Sequence, residues 1–81
     1  MSLADKKILL ESFGKHIREL RLSKGFTQVE VSSAMKRDQQ SLQRVESGKI
    51  NPSLNYLIEL SFALQISPAE LFNFDYNLDS L

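Results

Sequence analysis

Apolar residues recur along this chain with the spacing of helices. Leu10, Phe13, Ile17 and Leu20 fall three and four residues apart, which predicts a first helix from about Lys6 to Lys24 whose polar face carries Lys15, Arg18 and Arg21. Gly25 stops it. A second helix opens at Thr27-Gln28-Val29-Glu30 as a capping box: the Thr27 hydroxyl accepts from the Glu30 amide and the Glu30 side chain returns the bond. Val31 and Met35 are its inward positions. Asp38 is a good N-cap for a third helix running to about Ser47, closed by Gly48. After Asn51-Pro52, Ser53 begins a fourth helix with Leu54, Leu57, Ile58, Leu60, Ser61 and Leu64 on or beside an apolar stripe. Ser67-Pro68-Ala69-Glu70 repeats the capping-box logic, with Ser67 as N-cap, Pro68 at the first helical position and Glu70 reciprocating. Five short helices make an all-α fold. Only the end departs from this spacing: Phe72, Phe74, Tyr76 and Leu78 alternate with Asn73, Asp75, Asn77 and Asp79, a period of two that suggests an extended strand.

The third helix has an unusual outward face. At 100° per residue from Gln39, Gln43 lies at about 40°, Gln40 at about 100° and Arg44 at about 140°, while Leu42 and Val45 take the opposite side at about 300° and 240°. Two aliphatics anchor it. Gln can accept from and donate to the N6/N7 edge of adenine, and Arg can fork onto O6/N7 of guanine, so such a face is able to read base edges. A merely solvated polar face is the alternative that composition alone favours.

Composition removes much competing chemistry. The chain has 81 residues, a length for one domain, and with 42% hydrophobic and 25% charged residues it has the make-up of an ordinary globular protein. No apolar run approaches the ~20 residues needed to cross a bilayer, and the N-terminus lacks the pattern of an export signal, so a cytoplasmic, nucleoid-associated protein is expected. With no cysteine and one histidine, no metal or other cofactor is expected. The carboxylates Glu11, Glu19 and Glu30 form no evident acid/base pair, no glycine-rich phosphate loop is present, and His16 is expected to have an ordinary helix-surface role. An enzyme is not indicated. The net charge is zero but unevenly spread: residues 1 to 49 hold all ten Lys and Arg against six acids, and residues 50 to 81 hold four acids and no base. The sums, 10 − 6 = +4 and 0 − 4 = −4, suit a molecule with one end toward a polyanion, because counterion release depends on local contacts.

A capped helix, a short connection and a second capped helix form a helix-turn-helix arrangement. From Ile17 to Phe72 the chain resembles the lambdoid repressor and Cro family, also called the XRE family. The resemblance rests on IRELRLSKGFTQ, QQSLQRVESGKINPS and LIELSFALQISPAELF, similar to the family's arginine-bearing first helix, its reading helix and its closing helices. The segment Gln39-Gln40-Ser41 is especially similar to reading helices of phage repressors. The resemblance implies a five-helix, lambda-repressor-like domain over residues 1–72, with the helix-turn-helix at about 27–47, followed by a short tail over 73–81.

Carried onto this chain, the family pattern makes Gln39 and Gln40 the main base readers, with Arg44 reaching a further base pair or a phosphate and Gln43 a weaker candidate. Gln28 would clamp a phosphate at the start of the second helix, and Lys36, Arg37, Lys49 and Asn51 are further backbone contacts. Arg21 and Glu46 match a charge pair that ties the first helix to the reading helix; with Thr27 and Asp38 they support the site rather than touch DNA. Two positions depart from the pattern. Ser32 stands where a small alanine is usual, so its hydroxyl needs a carbonyl one turn back. Lys36 stands where glycine usually takes a left-handed conformation; positive φ would cost it roughly 1 kcal/mol, which points to a differently shaped turn.

The resulting expectation is a sequence-specific double-stranded DNA-binding transcriptional regulator, a repressor on the family's record, acting as a homodimer on a pseudo-palindromic operator. No membrane or small-molecule partner is indicated. For the tail three readings remain open: it folds back over its own domain, it is partly disordered, or it pairs with a second subunit through Phe74, Tyr76 and Leu78. The alternative function is a protein-interaction adaptor or antitoxin-like module that keeps the fold without reading DNA.

Overall fold

The caps and stops written into the chain divide its described residues into four α-helices and a closing turn. The structure, a computed structural model, describes residues 1–76. It contains α1 (Leu3–Ser23), α2 (Gln28–Ala34), α3 (Gln39–Glu46) and α4 (Leu54–Ala63), followed by a 3₁₀ helix, Pro68–Phe72. Thr27 and Glu30 form the expected capping box, and the bonds from Thr27 hold the Glu30 carboxyl below its ordinary range. Asp38 caps α3 through the Ser41 amide at 2.7 Å, and Ser53 caps α4 through that of Tyr56 at 3.1 Å. All four α-helices end alike. In each, a backbone N–H just past the end reaches back five residues: Phe26 to Arg21, Arg37 to Ser32, Lys49 to Arg44 and Ile66 to Ser61. This stop requires a left-handed residue, supplied by Gly25, Lys36, Gly48 and Gln65. The turn is therefore not reshaped for want of glycine: Lys36 takes φ +56°, because the two bonds that close α2 hold it there.

Several expectations are corrected. α1 begins at Leu3 rather than near Lys6, because Ser2 and Asp5 form a further capping box. The fifth helix is 3₁₀ rather than α, and Ser67 makes no side-chain cap. In that tighter turn the Glu70 amide already donates to the Ser67 carbonyl at 3.1 Å, so the hydroxyl has nothing left to accept from. On α4 the buried face is Tyr56, Leu60, Ser61 and Leu64, with Leu54 and Ile58 outside it, because α2 and the 3₁₀ helix cover one side only.

The core unites Phe13 and Ile17 of α1, Val31 and Met35 around α2, Leu42 and Val45 of α3, Tyr56, Leu60 and Leu64 around α4, and Leu71. α1 approaches α3 so closely that a Cβ on Gly14 would overlap the carbonyl oxygens of Val45 and Glu46. Alanine is the better helix former by about 1 kcal/mol, yet Gly14→Ala is expected to lower stability by about 1–3 kcal/mol in chemical denaturation. A variant as stable as the parent would refute the close approach.

No strand forms at residues 73–76, where an all-helical domain offers no edge to pair with. The described part of the tail turns back onto α1, Phe74 meeting the Phe13 ring edge-to-face at 6.0 Å and the tilted His16 ring at 5.4 Å. His16 is thus more than a surface residue. Its Nε2 lies 2.8 Å from the Glu70 carbonyl, which can only accept, so that nitrogen carries the proton and ties α1 to the 3₁₀ helix. Tyr76 borders an open apolar cleft of about 330 Å³ with Leu9, Leu10, Phe13, Leu57 and Phe72. Leu78 lies outside the described residues.

Candidate nucleic-acid interface

The outward face of α3 follows from its anchors. Leu42 and Val45 are fully buried, which leaves Gln39, Gln40, Gln43 and Arg44 exposed on the other side. The four expected base readers therefore share one solvent-facing surface. Asp38 and the Ser41 amide fix the start of the helix, where Gln39 and Gln40 project.

Beneath this face a polar chain links three helices. Arg21 donates to Glu46 through Nε at 2.7 Å and Nη2 at 3.0 Å, and its Nη1 donates to the Phe26 carbonyl at 2.8 Å. Both partners are buried, and the fork matches the carboxylate in two places. Gln28 Nε2 donates to the same carboxylate at 3.0 Å, and Gln39 Nε2 reaches Gln28 Oε1 at 3.3 Å. The supporting pair, the expected phosphate clamp and the first expected base reader are thus one network. Ser32 is satisfied as expected, its hydroxyl donating to the Gln28 carbonyl at 2.7 Å. Among the described residues no buried side-chain polar atom lacks a partner.

Lys36, Lys49 and Asn51 are exposed around the ends of α3, free to face a backbone. Arg37 is exposed but occupied. It donates twice to Glu59 of α4, at 3.1 and 2.8 Å, and lies 5.4 Å above the Tyr56 ring. The Tyr56 hydroxyl is 3.2 Å from Ser41 Oγ, and burial raises that phenol above its ordinary range against the opposing effect of the Ser41 bond. Arg37, Tyr56 and Glu59 thus brace the turn and the start of α3 from α4. Periodicity could not reveal them, because the contacts join residues fifteen or more positions apart. Gly14 was also missed, although an isolated glycine inside a helical pattern is a signal of close packing.

This geometry has close counterparts. The helix-turn-helix family profile matches residues 17–71. An uncharacterized HTH-type transcriptional regulator of Sinorhizobium fredii, y4dJ, is 41% identical over 58 residues, which cover 72% of this chain and 75% of the relative. The restriction-modification controller protein C.AhdI from Aeromonas hydrophila superposes with a TM-score of 0.76 at 40% identity, covering 78% of this chain and 96% of that one. The controller protein C.Esp1396I, solved as a tetramer with its natural 35 base-pair operator, gives a TM-score of 0.72 at 25% identity, covering 79% of this chain and 84% of that one. Fold, motif and relatives agree: the chain belongs to the helix-turn-helix family of XRE-type transcriptional regulators, a family of regulators and not of enzymes.

Proposed function

We propose that this regulator binds a pseudo-palindromic operator as a homodimer, reads its major groove with α3 and represses transcription from it. The observation that carries this reading is the exposed face of Gln39, Gln40, Gln43 and Arg44 on a helix held by a satisfied polar network. Gln39 and Gln40 offer paired donors and acceptors to base edges at the N-terminal end of α3, and Arg44 one turn on reaches a further base or a phosphate. Gln28 clamps a phosphate from the start of α2, with Lys36, Lys49 and Asn51 as flanking contacts. Arg37 joins them if a phosphate displaces Glu59. That a related controller protein is found as a tetramer on its operator supports both the DNA target and assembly upon it. Such a protein works in the cytoplasm at the nucleoid.

The test is selection of bound duplexes from a random pool at ~150 mM salt, followed by a salt titration of the winner. Half-sites about 10 base pairs apart, with affinity falling steeply as salt rises, are the expected result. A second reading, a protein-binding adaptor, is favoured by the exposed apolar residues Leu54, Ile58 and Phe62 of α4. It predicts no enriched motif and weak, flat binding instead.

A further inference from the structure

Two arginines of this chain bond glutamates, and they do so differently. Arg21 sets Nε and Nη2 on the two separate oxygens of Glu46, and the side chains of that pair are only 9% and 4% exposed. Arg37 spends the same two nitrogens on a single oxygen, Glu59 Oε2, at 3.1 and 2.8 Å, with side chains 42% and 44% exposed. The first pair is fixed by burial and by its matched fork. The second is screened by solvent and held on one oxygen only, so another anion can take the place of Glu59 at little cost.

The position of Arg37 gives that exchange a purpose. It directly precedes Asp38, the N-cap of α3, and its backbone N–H is bonded to the Ser32 carbonyl at 2.9 Å, so its stem is fixed in the turn beside Gln39 and Gln40. Its guanidinium lies 5.4 Å from the centre of the Tyr56 ring, and a ring face attracts a cation whichever anion accompanies it. A DNA phosphate offers the guanidinium what Glu59 offers, an anionic oxygen in a planar fork. Of the expected cationic backbone contacts, Lys36, Arg37 and Lys49, only Arg37 is paired with a carboxylate among the described residues.

We infer that Glu59 is an internal stand-in for a DNA phosphate: it holds Arg37 in the free protein, yields it to the backbone when α3 docks, and thereby lowers affinity for DNA. The inference rests on the DNA-binding reading above and adds to it a residue of α4 that acts through Arg37. In the free protein the pair is neutral, so the turn attracts a polyanion less than its arginine alone would. On DNA the phosphate must outcompete Glu59, so the gain from the contact is reduced by what the ion pair contributed.

The test is a double-variant cycle of Glu59→Gln and Arg37→Gln in the full chain, with helicity checked first; both changes keep an amide able to bond across the gap while removing one charge. Binding is titrated against salt on the selected operator and on a mixed-sequence duplex. Glu59→Gln is expected to raise affinity about two- to fivefold at ~150 mM salt with the parental salt slope, the scale of an exposed ion pair. Arg37→Gln is expected to lower the slope by ~0.9 per protomer, the value of one phosphate contact, and to cancel the gain from Glu59→Gln. A merely structural brace would leave that slope unmoved, and this result would overturn the inference. So would an equal gain from Glu59→Gln in both backgrounds, which means bulk charge, or a slope that steepens in Glu59→Gln, which means that the parent never releases Arg37. Failure of the DNA reading shows separately, as a parent that binds neither duplex.

Discussion

Glu46→Ala is expected to lower stability by about 3–5 kcal/mol, enough to remove much of the 5–15 kcal/mol typical of a whole domain. The carboxylate accepts from Arg21 at 2.7 and 3.0 Å and from Gln28 at 3.0 Å. Truncation leaves the Arg21 guanidinium buried with only the Phe26 carbonyl as partner, and an uncompensated buried charge is the costly outcome. Replacing both partners with apolar residues, Arg21→Met with Glu46→Leu, leaves no such charge and is expected to be milder than the single change. Urea denaturation of the parent, Glu46→Ala and the double variant decides the matter, and a double variant as unstable as Glu46→Ala would sink the account. Glu46→Ala also releases Gln28, so its DNA affinity is expected to fall even at temperatures where it remains folded.

Gln39→Ala with Gln40→Ala is expected to do the reverse, sparing the fold and abolishing discrimination. Both side chains are exposed, and alanine is the better helix former, so stability stays within about 0.5 kcal/mol of the parent. Each bidentate base contact is worth about 1–3 kcal/mol of discrimination, so the pair together should carry a factor of about 30 or more between the preferred site and a mismatched one. Non-specific affinity and its salt slope should persist, because Lys and Arg supply them. Competition binding against mismatched duplexes gives the answer; undiminished preference would mean that the amides are a solvated face. The single variants differ in one further respect. Only Gln39 is bonded to Gln28, so Gln39→Ala alone also loosens the phosphate clamp.

The polar chain under α3 was half legible. Arg21 and Glu46 are recognisable from the family pattern, and the base readers follow from angular position against Leu42 and Val45. That Gln28 bonds both Glu46 and Gln39 needs three helix ends to meet, and no spacing encodes it. The brace of Arg37, Tyr56 and Glu59 is hidden for the same reason: each residue by itself suits an ordinary helix or turn.

What the chain determines alone is whatever closes within about five residues. The N-caps at Thr27, Asp38 and Ser53, the glycine stops at Gly25 and Gly48 and the face of α3 each depend on bonds or angles between near neighbours, so their residues suffice to predict them. Tertiary structure decided the rest. It made Gly14 indispensable to the contact of α1 with α3, chose which apolar side of α4 to bury, tightened Pro68–Phe72 into a 3₁₀ turn and drew Phe74 back onto Phe13 and His16. α4 shows why. Its stripe of Leu54, Ile58 and Phe62 is as apolar as the face it buries, so periodicity offers two candidate cores, and only the positions of α2 and the 3₁₀ helix select one and leave the other facing outward.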